Sequence, residues 1–265
     1  MNVFSFELAG DMAFFKKNDA NDMVYISYNF LHKPAVLGII GAILGIPGYS
    51  ESKAKQHPDF YTNLKDMKIA ILPHYEKPLK KVITGFNNAS CLASKSSGGQ
   101  GQTWQIREQI LIGEQEIRYT VFVLDNNAIQ DGQISKLKKL LINRESEYPL
   151  YFGKNEFFAY HENYQEYEAA PLSASEASVC GLVKAGDKNT NILREFSFED
   201  FDPFEKKLNE GYTIYEHLPY DFDARGFYKK DVFVLTQREI IIKDKTGFYT
   251  LVNKNEGEPF NVQFI

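Results

Sequence analysis

Residues 35–46, AVLGIIGAILGI, carry no polar side chain. The run is too short to cross a membrane as a helix, which takes about 20 residues. Pro34 ahead of it suits a helix's first turn, and Pro47-Gly48 behind it supplies a stop. The stretch therefore predicts a helix of about three turns, apolar on every side and buried. Enclosing such a helix needs a sizeable core, which 265 residues with 43% hydrophobic and 14% aromatic content can supply. Gly38, Gly41 and Gly45 fall on one face of it. Each glycine costs roughly 0.5–1 kcal/mol relative to alanine, so a close approach is expected there, by the protein's own sheet, a partner chain or a ligand. The spacing matches neither the dinucleotide fingerprint nor the phosphate loop.

A net charge of −5 gives no global basic field, so any nucleic-acid contact must rest on local patches. Cys91 and Cys180 lie far apart and suggest neither a disulfide framework nor a zinc site. The start, MNVFSFELAG, lacks a positively charged leader. Cytoplasmic location without a membrane partner is the expectation, and no metal or cofactor is implied.

Phe4, Phe6 and Leu8 alternate with Ser5 and Glu7, as in a half-buried strand over residues 3–9. A loop rich in Asn, Asp and Lys follows. Residues 53–81 hold seven lysines against three acids, read as a solvated face or a stripe along nucleic acid, with a short strand in MKIAILPHY. Residues 84–106, TGFNNASCLASKSSGGQGQTWQI, read as a long flexible excursion between the strand segments KKVITGF and TWQIREQILIG. EIRYTVFVLD is a strand, residues 131–145 an amphipathic helix, and YPLYFGKNEFF strand, turn and strand. The chain is thus α+β, with a ferredoxin-like, RNA-recognition-type arrangement over residues 1–165. A smaller β-rich region is expected over 166–265.

Three ordered stretches, FELAGDMAFFKKNDAN, SYNFLHKPAVLGIIGAILG and YPLYFGKNEF, resemble the Cas-five family of CRISPR interference complexes, in particular its subtype I-B form. That family belongs to the RAMP superfamily of ferredoxin-like proteins. The resemblance implies a non-catalytic subunit of a Cascade surveillance complex that caps one end of the assembly and grips the 5′ handle of the CRISPR RNA. Implied partners are that RNA, the neighbouring backbone subunit, the large subunit and target DNA near the adjacent motif. An inserted β-hairpin thumb is also implied, and residues 84–106 match it in position and composition.

Handle recognition combines phosphate contacts, stacking and hydrogen bonds to base edges. Candidates are Lys16, Lys17 and Asn21 in the loop after the first strand, with Tyr28 either stacking a base or filling the core. In the thumb they are Asn87, Ser90, Lys95, Gln102, Trp104 and Arg107. Gly153 and Lys154 complete the set, as a backbone approach to phosphate and a charge, or as an ordinary turn. Two rivals compete. One is a metal-independent endoribonuclease resembling subtype I-C, using Tyr25, Tyr28, His32 or Lys33; the other is a protein-only scaffold. The carboxylates of YDFD, residues 220–223, read as a loop, not a metal site.

Overall fold

The computed structural model describes residues 1–18, 23–49, 56–75, 78–89, 103–126, 129, 132–185, 191–193, 212–255 and 257–265. The first alternating stretch extends beyond its expected end: β1 spans Asn2–Ala13. It lies antiparallel between β4 (Thr103–Asp125) and β6 (Phe158–Pro171). β2 (Ile69–Pro73) flanks β4. Beyond β6 come β13 (Phe248–Asn253) and β14 (Phe260–Gln263), giving the order β14-β13-β6-β1-β4-β2 with every neighbouring pair antiparallel. β3 (Lys80–Ala89) pairs with the N-terminal half of β4, and β5 (Leu150–Tyr151) with the start of β6.

Two smaller sheets complete the strands. One joins β10 (Thr213–Phe222), β11 (Tyr228–Thr236) and β8 (Val183–Lys184). The other joins β7 (Glu176–Ala177), β12 (Ile240–Ile242) and β9 (Asn191–Leu193).

The apolar run forms α1 (Lys33–Leu44). The buried His32 accepts the Ala35 N–H on Nδ1 at 3.3 Å as its N-cap, and Gly45, at φ +78°, ends it in the left-handed conformation. Gly38 and Gly41 face α2 (Asp59–Leu64), not the sheet, and Gly45 meets the side chain of Glu147. A Cβ on Gly41 would lie 2.5 Å from Cβ of Phe60, and Gly38 admits the same ring at 3.5 Å. Close approach is therefore used, but for a neighbouring helix. The amphipathic helix α3 (Gln133–Asn143) buries Leu137 and Leu141. No helix among the described residues is long and apolar enough to cross a membrane.

Phe4, Phe6, Leu8, Val121 and Val123 of the sheet share one core with α1, α3 and Leu218, Phe222, Phe233 and Leu235 of the β10–β11 hairpin. The boundary expected at residue 165 lies within these shared elements. It falls inside β6, and β13 pairs with that same strand, because hydrogen-bonded register and shared apolar burial tie the ends of the chain together. Residues 166–265 are β-rich as expected. Of the excursion expected over 84–106, residues 84–89 belong to β3 and residues 103–106 to β4, and residues 90–102 lie outside the described residues. Among its exposed flanking strands the register is continuous from Lys80↔Ile112 to Ala89↔Thr103.

Candidate nucleic-acid interface

Three segments far apart in sequence meet at the base of the β3–β4 hairpin. Alternation divides the hairpin into two faces. Val82, Phe86, Ile110 and Ile112 turn inward, packing with Met12, Phe14, Tyr25 and Phe157. Lys81, Ile83, Gly85 and Asn87 on β3, with Gln105 and Arg107 on β4, are exposed. Where the hairpin leaves the sheet β4 bulges: Met12 pairs with Ile112 but Gly10 with Ile117. Gly113 permits this, since a Cβ there would lie 2.7 Å from the Glu116 carbonyl carbon.

The second segment is the loop after β1. Tyr25 adds to the free side of β4, donating its N–H to Arg107 O at 2.8 Å and accepting from Gln109 N–H at 2.8 Å. Lys16 bridges to Ser27 and sets its Nζ 3.8 Å above the Tyr25 ring. The third segment is the turn after β5. Phe14 N–H donates to Phe152 O at 3.0 Å, and Gly153 sits at φ +85°. A Cβ on Gly153 would land on the Phe14 carbonyl oxygen, so only glycine fits this turn.

Lysines at this junction are backed by buried carboxylates. Lys154 Nζ lies 2.6 Å from Glu108 Oε2 and 4.3 Å from the centre of the Phe86 ring. Glu108, only 6% exposed, is the one acid among the inward positions Ile106, Glu108 and Ile110. Lys17 Nζ lies 2.7 Å from Glu216 Oε1 of β10, and Glu216 Oε2 accepts the Asn29 N–H at 2.7 Å. Sequence reasoning missed both acids. Glu108 left a trace, as a charge at an inward strand position; Glu216 left none.

The structure thus brings Lys16, Lys17, Gly153 and Lys154 to one junction, with Arg107 on the outward face of β4 beside Tyr25 and Asn87 farther out on β3. Tyr28 is 1% exposed, its ring packed against His32 at 5.5 Å, so it fills the core and offers no face to a base. Trp104 of β4 pairs through its backbone with Asn88 of β3. Asn21, Ser90, Lys95 and Gln102 lie outside the described residues.

The residues named for cleavage are placed differently. Burial lowers His32 to a pKa of about 3, and its Nδ1 is spent on the cap of α1. Lys33 is buried and donates to Ile265 O at 3.0 Å, and burial lowers its pKa to about 8. It borders a cleft of about 1170 Å³ between α2 and the β10–β11 hairpin. There Asp221 accepts from Tyr61 and from Lys229, the latter at 3.1 Å. Asp223 accepts the N–H groups of Arg225 and Phe227 at 2.8 and 2.9 Å, organising its own turn. Asp221 lies within β10, so that carboxylate is on a strand, not in a loop. Among the described residues no group of three His, Cys, Asp or Glu could hold a metal ion.

The sheet face turned away from α1 and α3 has another character. Arg118 is gripped by Glu7 at 2.5 Å, Glu162 at 2.7 Å and Glu116 at 2.8 Å. The Tyr160 hydroxyl and Arg118 together hold Glu116 below the usual carboxylate range.

Several solved structures are similar to the chain. One is a CRISPR protein from Archaeoglobus fulgidus, 11% identical with a TM-score of 0.48 over 99% of each chain. Another is a chain of a CRISPR RNA-guided surveillance complex, 13% identical with a TM-score of 0.45 over 89% of this chain and 90% of that one. A third belongs to the type III-B Cmr-beta bound to cognate target RNA and AMPPnP, 12% identical with a TM-score of 0.43 over 92% and 86%. No family model and no curated protein matches the chain.

Proposed function

We propose that this chain is a cytoplasmic, non-catalytic RNA-binding subunit of a type I-B CRISPR surveillance complex, which caps the backbone and holds the 5′ handle of the guide RNA. One observation carries the reading: stretches that resemble the Cas-five family in sequence, residues 14–17 with 27–28 and the turn at 152–154, come together at the base of a projecting hairpin. The strand order β6-β1-β4-β2, all antiparallel, with α1 after β1 and α3 after β4, supports a ferredoxin-like RAMP domain and a thumb made of β3 and the first half of β4. The burial of His32 and Tyr28 favours binding over cleavage, since a general base must reach its proton.

The test is reconstitution of the complex with guide RNA and the backbone subunit, followed by crosslinking at the handle. Crosslinks to residues 16–28, 80–112 or 152–154 are expected. Removing residues 90–102 should weaken guide retention while the core stays folded. Handle crosslinks confined to other subunits would sink the proposal. Repeat RNA cut in EDTA, with loss of cutting in His32→Ala, would replace it by the endoribonuclease.

A further inference from the structure

We propose that the outward face of the β3–β4 hairpin seats one base of single-stranded RNA flat over Gly85; this deepens the RNA-binding role proposed above and rests on it. Gly85 is exposed in the middle of β3, directly opposite Arg107 of β4. A glycine inside a strand weakens it, and one that stands there marks a bulge, a bend or a close approach by another group. The register runs unbroken from Lys80↔Ile112 to Ala89↔Thr103, so there is no bulge. Gly85 is not left-handed, and a Cβ on it would meet only Gln105 Nε2, at 3.8 Å. The hairpin itself therefore has room for a side chain here, unlike the turn at Gly153, where none fits. What the bare backbone leaves open is a flat approach from outside.

Four side chains border that opening. Ile83, 61% exposed, stands two residues back on the same face of β3. Asn87 stands two residues on and is paired across the strands with Gln105, and Arg107 lies opposite. Asn87, Gln105 and Arg107 are exposed, and among the described residues none spends its side chain on a hydrogen bond or ion pair. An unpaired base matches this set. Its face covers Gly85 and leans on Ile83, taking apolar surface out of water. Its edge meets two amides, each able to donate and to accept. A phosphate of the same strand answers Arg107. An apolar peptide would leave the amides and the guanidinium without partners.

The experiment is titration of the full chain with a short fluorescein-labelled single-stranded RNA, alongside urea unfolding. Gly85→Val is expected to bind about tenfold more weakly, as for the loss of one base contact. Gly85→Ala should also bind more weakly, with an unfolding midpoint at or above that of the wild type. Gln105→Ala should narrow the spread of affinities among RNAs of different base composition. Gly48→Ala is the control: a Cβ there meets nothing within 4 Å, and binding should match the wild type. Wild-type affinity in Gly85→Val overturns the seat and leaves the functional reading standing. A lowered midpoint in Gly85→Ala shows that the glycine serves the chain's own fold, and it too overturns the seat. A wild type that binds no RNA overturns the functional reading and the seat with it. Loss of the backbone subunit in reconstitution, with RNA affinity intact in Gly85→Val, assigns the face to a protein and overturns the base.

Discussion

The hairpin junction and the far face of the main sheet are both dense in charge, and they are built in opposite senses. At the junction the acids lie beneath, Glu108 under Lys154 and Glu216 under Lys17, and the ammonium groups are the more exposed partners. On the sheet a single guanidinium sits in the middle, and Glu7, Glu116 and Glu162 surround it. A polyanion approaching the first surface meets cations; approaching the second it meets carboxylates. The net charge of the whole chain does not separate such surfaces, because what counts is the local arrangement: exposed ammonium groups over buried acids at the first, three carboxylates around one guanidinium at the second. Aromatic-bearing open sheets serve many RNA-recognition modules, but here the acid ring argues for the hairpin side.

The comparison can be broken at several points. Gly153→Ala should be the most damaging change. It forces a side chain onto the Phe14 carbonyl at φ +85°, and a loss of about 3 kcal/mol or more in urea unfolding is expected. Glu108→Ala leaves the Lys154 ammonium without its buried partner, at about 3 kcal/mol. Amide exchange should then quicken in β3 and the first half of β4, while β1 and β6 keep their protection.

Acid should weaken the floor beneath the junction. The folded chain holds His32 at about 3, whereas an unfolded imidazole titrates near 6.5. Between those values the unfolded chain binds the extra proton, so stability falls as pH drops below 6.5, by about 1.4 kcal/mol per unit. Unfolding free energies from urea titrations at pH 7 and pH 5 should differ by about 2 kcal/mol from this group alone. In His32→Asn, which retains a capping oxygen, that difference should disappear.

Smaller effects separate the two surfaces most directly. Arg107→Gln on the exposed hairpin face should weaken RNA binding about fivefold at 0.1 M salt, with stability unchanged to within about 0.5 kcal/mol. Arg118→Gln on the sheet should cost about 1 kcal/mol of stability and leave the salt slope of RNA binding as it was. Equal losses of affinity in the two variants would erase the distinction.

Local pattern foretold some of this architecture. α1 was legible because an unbroken apolar run between prolines has few alternatives. α2 was not: its six residues carry weak periodicity, and Phe60 stands where it does because a distant stripe of glycines admits it. The placement of β13 beside β6 was also hidden, since pairing across about eighty residues leaves no mark on either strand's alternation. Likewise Lys154 could be picked out as a charge in a motif. Its partner Glu108 lies 46 residues away in the chain, so the pair exists only once the strands are in register. Tyr28 was ambiguous because a tyrosine beside a buried helix suits either role, and burial decides the matter.

The bulge at Gly113 deserves a mechanical reading. It splits β4 into a stretch paired with β1 and β2 and a stretch paired with β3, whose root at Leu111 and Ile112 still pairs with the end of β1, with surplus chain at the division. The hairpin's resting angle is set by the Lys154–Glu108 latch and the two backbone bonds of Tyr25. The hairpin is thus anchored at its root along one edge by Met12, Ala13 and Tyr25, and those bonds fix its direction.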